Sequence, residues 1–88
     1  MSIVQTPSHP GLELAALLRT RGMPQSEFAK RLGVSKKHVN GICNGRALFS
    51  PSFAVKMERV LGEPSAGYWL QRLGEYRLAQ IRPAAPSI

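Results

Sequence analysis

Lys36, Lys37, Asn40 and Asn44 recur at a spacing that one face of a short helix brings together. Their side chains are those that read base edges: lysine donates to guanine O6 and N7, and asparagine pairs with adenine. The local sequence frames the helix that would carry them. Ser35 is an N-cap whose hydroxyl can accept from the first-turn N–H groups, so the helix starts at Lys36. Val39, Ile42 and Cys43 point to the core, which leaves Lys36, Lys37, Asn40, Gly41 and Asn44 on or beside the outward face. Ser35 and His38, in the first turn, are counted with that face. Asn44-Gly45 closes the helix, and Arg46 follows in a loop from which a cation can reach a backbone phosphate.

The helix before it is set by Phe28, Ala29 and Leu32, with Gln25, Glu27, Lys30 and Arg31 on the other face. Gly33 stops it, since glycine enters the left-handed region without a Cβ penalty. Val34 is an apolar plug between the two helices. Residues 23–50 therefore predict a helix-turn-helix whose second helix enters the major groove N-terminus first, with Lys36 and Lys37 leading. A pair of solvated lysines on an ordinary amphipathic helix is the alternative. The coincidence of cap, glycine turn, plug and basic face at these offsets favours DNA.

The remaining segments predict an all-α chain of five helices. Residues 1–9 read as an irregular arm, and Pro10-Gly11 starts a first helix with Leu12, Leu14, Ala15, Leu17 and Leu18 as its apolar face. Glu13 lies near its positive end and Arg19 and Arg21 near its negative end, with Gly22 as terminator. Ser50-Pro51 caps and opens a fourth helix, where Phe53, Ala54, Met57, Val60 and Leu61 form the stripe and Gly62 ends it. A fifth helix spans about residues 65–81, and Pro83 and Pro86 make 82–88 an irregular tail. The helix-turn-helix domain, with its C-terminal helix, thus runs over residues 10–81.

Four helices suffice for a core, so a fifth that carries the only Trp and both Tyr residues predicts an interface. Tyr68, Trp69, Leu70, Leu73 and Tyr76 are its expected homodimer contacts, the alternative being aromatics folded back onto the core. A dimer would place two recognition helices about 34 Å apart, to address a palindrome.

An 88-residue chain with a net charge of +7 and a pI near 10.6 predicts one domain with polyanionic partners. The charge is concentrated at the motif: seven basic residues lie from Arg19 to Arg46, against the single acid Glu27. No segment approaches the roughly 18 apolar residues of a membrane span. The N-terminal "MSIVQTPSHPG" lacks the basic start and apolar run of a signal peptide, which predicts a cytoplasmic protein. The single Cys43 is read as a small buried hydrophobe, and one Cys with the distant His9 and His38 matches no metal site. Without a Gly-rich phosphate loop, paired carboxylates or a Ser/Cys/His arrangement, neither catalysis nor a cofactor is expected.

"HPG" at the first helix, "QSEFAKRLGVSKKHVNGICNG", a proline-bearing fourth helix ending "LG", and "YWLQRLGEYRL" together resemble HigA-type antitoxins. The resemblance covers roughly residues 9–79, its middle portion being shared by all Cro/repressor-like (Xre) helix-turn-helix proteins. It implies a homodimeric antitoxin that binds a palindromic operator, represses its own operon and neutralises a RelE/HigB-type mRNA endonuclease toxin. By the same resemblance Gln25 binds DNA backbone, Lys36 and Lys37 take the first recognition positions, and Gly41 the later base-facing one. Asn44 and Arg46 match phosphate-touching positions. The C-terminal region, here Trp69 to Leu78, is implied to dimerise. A stand-alone or phage-type homodimeric regulator without a toxin is the second reading.

Overall fold

Five helices, with no strand among the described residues, account for most of residues 8–81, the part of the chain that the computed structural model describes. They are α1 (Pro10–Thr20), α2 (Gln25–Leu32), α3 (Lys36–Cys43), α4 (Pro51–Leu61) and α5 (Ala66–Ile81). The expected tail and all but the last two residues of the expected arm lie outside this range.

Every helix but α2 starts where a side chain accepts from an orphan N–H group. His9 caps α1 with its Nδ1, which accepts from the Gly11 N–H at 2.9 Å, and Pro10 occupies the first turn. Ser50 Oγ accepts from Phe53 N–H at 3.2 Å, and Ser65 Oγ from Tyr68 N–H at 3.2 Å. The Glu58 carboxylate takes the Ala66 N–H at 2.9 Å, tying the end of α4 to the start of α5. Pro24 precedes α2 without a side-chain cap. Arg21, expected near the negative end of its own helix, serves α4 as well: its guanidinium donates to the carbonyls of Leu61 at 2.6 Å and Glu63 at 2.7 Å.

α1 packs on α3 and α5, α2 on α3 and α4, and α4 on α5. The α1–α3 crossing is close because Gly11 lies against backbone: a Cβ there would stand 1.8 Å from the Ile42 carbonyl oxygen. Leu14, Phe28, Val39, Ile42, Ala54 and Met57 are wholly buried. Leu12, expected on the buried face of α1, is half exposed, because the stripe on α1 is completed by Leu14, Ala15 and Leu18 instead.

The largest departure from the sequence expectation concerns α5. Trp69 is 0% and Leu73 6% exposed, so neither is available to a second copy of the chain. The four-helix core is not closed on its own. Phe49, in the loop before α4, is buried and meets the Trp69 ring edge-on at 6.3 Å, and the indole fills the space between α1, that loop and α4. Tyr76 is half-buried against the His9 ring at 4.9 Å. Tyr68 hydrogen-bonds the Glu13 carboxylate, which also accepts from Arg72 Nε at 3.0 Å. Its own hydrogen bond to Glu13 raises the Tyr68 phenol above its ordinary pKa, and the separate bond from Arg72 to Glu13 holds the guanidinium more firmly protonated. Thus α5 is fastened to the N-terminal end of α1, by Glu13 in its first turn and by its cap His9. Leu70 packs partly against the core.

Candidate nucleic-acid interface

The turn between α2 and α3 is short because Gly33 adopts φ 78°, which lets its own N–H and that of Val34 return to the Ala29 carbonyl at 2.9 and 3.0 Å. Val34 then packs against the core, and Ser35 Oγ accepts from the His38 N–H at 3.0 Å to open α3. Burial of Val39, Ile42 and Cys43 fixes the rotation of α3 about its axis. The opposite face follows from that rotation.

Ser35, Lys36, Lys37, His38, Asn44 and Arg46 are exposed, while Gln25, Asn40 and Gly41 are half-buried. The nine candidate residues occupy the start of α2, the turn before α3, α3 itself and the loop just after it. The Gly41 carbonyl accepts from Arg46 N–H at 2.9 Å and Ala47 N–H at 3.2 Å, which ends α3 and fixes the backbone that presents Arg46. The exposed His38 ring also meets Phe53 of α4 edge-on, with ring centroids 5.4 Å apart.

Gln25, Asn40 and Asn44 form a chain of amides. Asn40 Nδ2 donates to Gln25 Oε1 at 3.2 Å, and Asn44 Nδ2 donates to Asn40 Oδ1 at 3.0 Å. Sequence reasoning placed the three residues individually and missed their connection. Asn40 and Asn44, four apart on one helix, were in principle readable as neighbours. The link to Gln25 depends on how α2 crosses α3.

The surface potential is set by an imbalance of partners. Glu27 is the nearest acid in sequence and is engaged by Arg31 at 2.6 Å. The ion pairs found among the described residues involve Arg31 and Arg72 and none of Lys36, Lys37 or Arg46. Two exposed lysines at the start of a helix that contains no acid, and an exposed arginine in the loop after it, favour an anion as partner. Cys43, on the inner side, has its thiol pushed up to about 11 by burial, which leaves it a packed side chain rather than a nucleophile.

Residues 14–67 match the helix-turn-helix family HTH_3. That span takes in α2, α3 and α4 and stops just inside α5. Virulence-associated protein A of Dichelobacter nodosus is 32% identical over 84 residues, spanning 94% of this chain and 82% of that protein. Among solved structures, the Pseudomonas aeruginosa antitoxin HigA with the higBA promoter superposes with a TM-score of 0.79 at 30% identity, over 85% of this chain and 82% of that one. An addiction module antidote protein of the HigA family from Coxiella burnetii gives 0.78 at 26%, over 86% and 83%. The superpositions cover most of each chain, so α5 belongs to the shared architecture.

Proposed function

The chain belongs to the helix-turn-helix family HTH_3, and from that premise we propose that it is a HigA-type antitoxin: a homodimer that binds a palindromic operator, represses its own operon and neutralises a RelE/HigB-type mRNA endonuclease. The observation that carries the DNA half is the acid-free outer face of α3, with Lys36 and Lys37 exposed at its N-terminus. A relative of the same architecture solved with promoter DNA supports it. The DNA-contacting set is Gln25, Ser35, Lys36, Lys37, His38, Asn40, Gly41, Asn44 and Arg46.

The homodimer is assigned to a different face of α5 from the one the sequence suggested. Leu78 is 46% and Ile81 75% exposed, and both lie on the side away from Trp69 and Leu73. Gly67 and Gly74 share that side, and a Cβ at Gly74 would meet nothing within 4 Å. Exposed apolar side chains beside helical glycines suit a second helix at close range.

One observation favours the toxin-free regulator. The carboxylates of Glu13, Glu27, Glu58 and Glu75 are all engaged within the chain, three in ion pairs and one at the start of α5, leaving few acids for a basic endonuclease. Capture of the tagged protein from its own cells after nuclease treatment, with mass identification of small partners, separates the two. A stoichiometric partner encoded beside it, toxic alone and harmless when co-expressed, is the antitoxin result. Recovery of the homodimer alone, still shifting its own promoter, establishes the plain regulator.

A further inference from the structure

We infer that Asn40 is the residue that selects an adenine in the major groove, through an amide edge held in place by Gln25 and Asn44 and left open to approach by the bare backbone of Gly41. The inference rests on the operator-binding reading and names what that site recognises.

A carboxamide has two N–H donors and two acceptor lone pairs. Asn40 spends one donor on Gln25 Oε1 at 3.2 Å and one lone pair on Asn44 Nδ2 at 3.0 Å. One N–H and one lone pair remain. Exchanging oxygen and nitrogen in all three amides together leaves the same remainder, so it does not depend on their assignment. A donor beside an acceptor matches the major-groove edge of adenine, which offers N7 and the N6 amino group. Guanine presents two acceptors there, cytosine only a donor, and thymine an acceptor with a methyl group, so each leaves half of the Asn40 edge unpaired or opposed. Because two partners already fix the side chain, little rotamer freedom is left to lose on binding.

Gly41 supplies the second observation. It lies inside α3, where glycine weakens a helix relative to alanine. A Cβ at this position would meet only the Ala47 Cβ at 3.9 Å, an ordinary contact, so the fold has room for a side chain. The omission serves whatever lies against the helix, next to Asn40.

The test starts from duplexes of random sequence, bound by the wild-type chain and sequenced to give a consensus. Each consensus adenine is then replaced singly by 7-deazaadenine, which lacks the N7 acceptor, and affinity is read by fluorescence anisotropy. One adenine per half-site is expected to cost the wild type about tenfold, within the range of a bidentate contact. Asn40→Ala, shown folded by circular dichroism, should be insensitive at that adenine while keeping its other preferences. Asn40→Asp keeps an acceptor and drops the donor, and should move the preference there toward cytosine. Gln25→Ala should relax the same base pair and no other, and Gly41→Ala should melt no lower than wild type yet bind the consensus more weakly. An Asn40→Ala protein that loses affinity evenly while its consensus stays intact overturns the assignment and leaves operator binding standing. Failure of the wild type to select any consensus overturns both.

Discussion

Gly11 and Gly41 are both helical glycines near the α1–α3 region, and what stands beside each decides opposite outcomes. At Gly11 the obstacle is the Ile42 carbonyl, a backbone atom that cannot swing aside. Gly11→Ala must push α1 off α3 and should cost about 1–3 kcal/mol or prevent folding, read as a drop in the urea midpoint. At Gly41 the same change should raise the midpoint, by about 0.5–1 kcal/mol, since alanine only adds helix propensity. His9 offers a pH dependence of definite sign. Its Nδ1 must stay unprotonated to accept from Gly11, and burial holds its pKa below the ordinary 6.5 against a smaller opposing effect of the backbone hydrogen bond to Ala47. The folded state thus favours the neutral ring. Its contribution is fully present above about pH 6.5 and declines as pH falls below that value toward the folded pKa. Thermal melts from pH 7.5 to 5 should show the decline, and His9→Asn, a neutral cap, should flatten it; equal slopes would place the acid sensitivity elsewhere.

Among the elements, α5 has two faces with different roles. The inner face, Trp69 and Leu73, closes the core, and Trp69→Ala should cost about 3–5 kcal/mol because it removes a wholly buried indole between α1, Phe49 and α4. The outer face, Leu78 and Ile81, is exposed in the single chain. A Leu78→Glu/Ile81→Glu protein should keep its helical signal and sediment as a monomer. If it still sediments as a dimer, the interface lies on another element. Fastening of α5 through Glu13, Tyr68 and Arg72 is a smaller effect, since these groups are partly exposed and such ion pairs contribute about 0–1 kcal/mol. They orient α5 more than they hold it.

At the scale of the whole molecule, a net charge of +7 with Lys36, Lys37 and Arg46 outside any ion pair among the described residues makes DNA affinity depend on salt. The logarithm of the binding constant should fall with the logarithm of salt concentration, by about 0.9 per phosphate neutralised. Removing a lysine that contacts phosphate lowers that slope by about 1 and weakens all sequences alike, whereas removing one that contacts a base relaxes specificity. Titrations of Lys36→Ala and Lys37→Ala at several salt concentrations therefore assign each side chain. Wild-type affinity and slope in the double variant would show that α3 does not lead into the groove.

The helix ends and the basic face of α3 were legible in the sequence because their causes are local. Ser35 and Ser50 cap within three residues of themselves, Gly33 turns its own backbone, and Val39, Ile42 and Cys43 orient α3 through spacing alone. Recognising the fold needed nothing more, and the exposed position of Lys36, Lys37 and Asn44 follows from the same periodicity. Other features join residues far apart in the chain, and no window of sequence contains both partners. Trp69 was read as interface because nothing near it reveals that the first four helices leave a space that Phe49 borders. The crossing of α2 over α3 set the Asn40–Gln25 contact, and the α1–α3 approach made Gly11 obligatory. Sequence patterning determined which helices form and which side of α3 is charged. Tertiary packing alone decided which side of α5 is free and which amides act together, because close packing depends on the shapes of several elements at once.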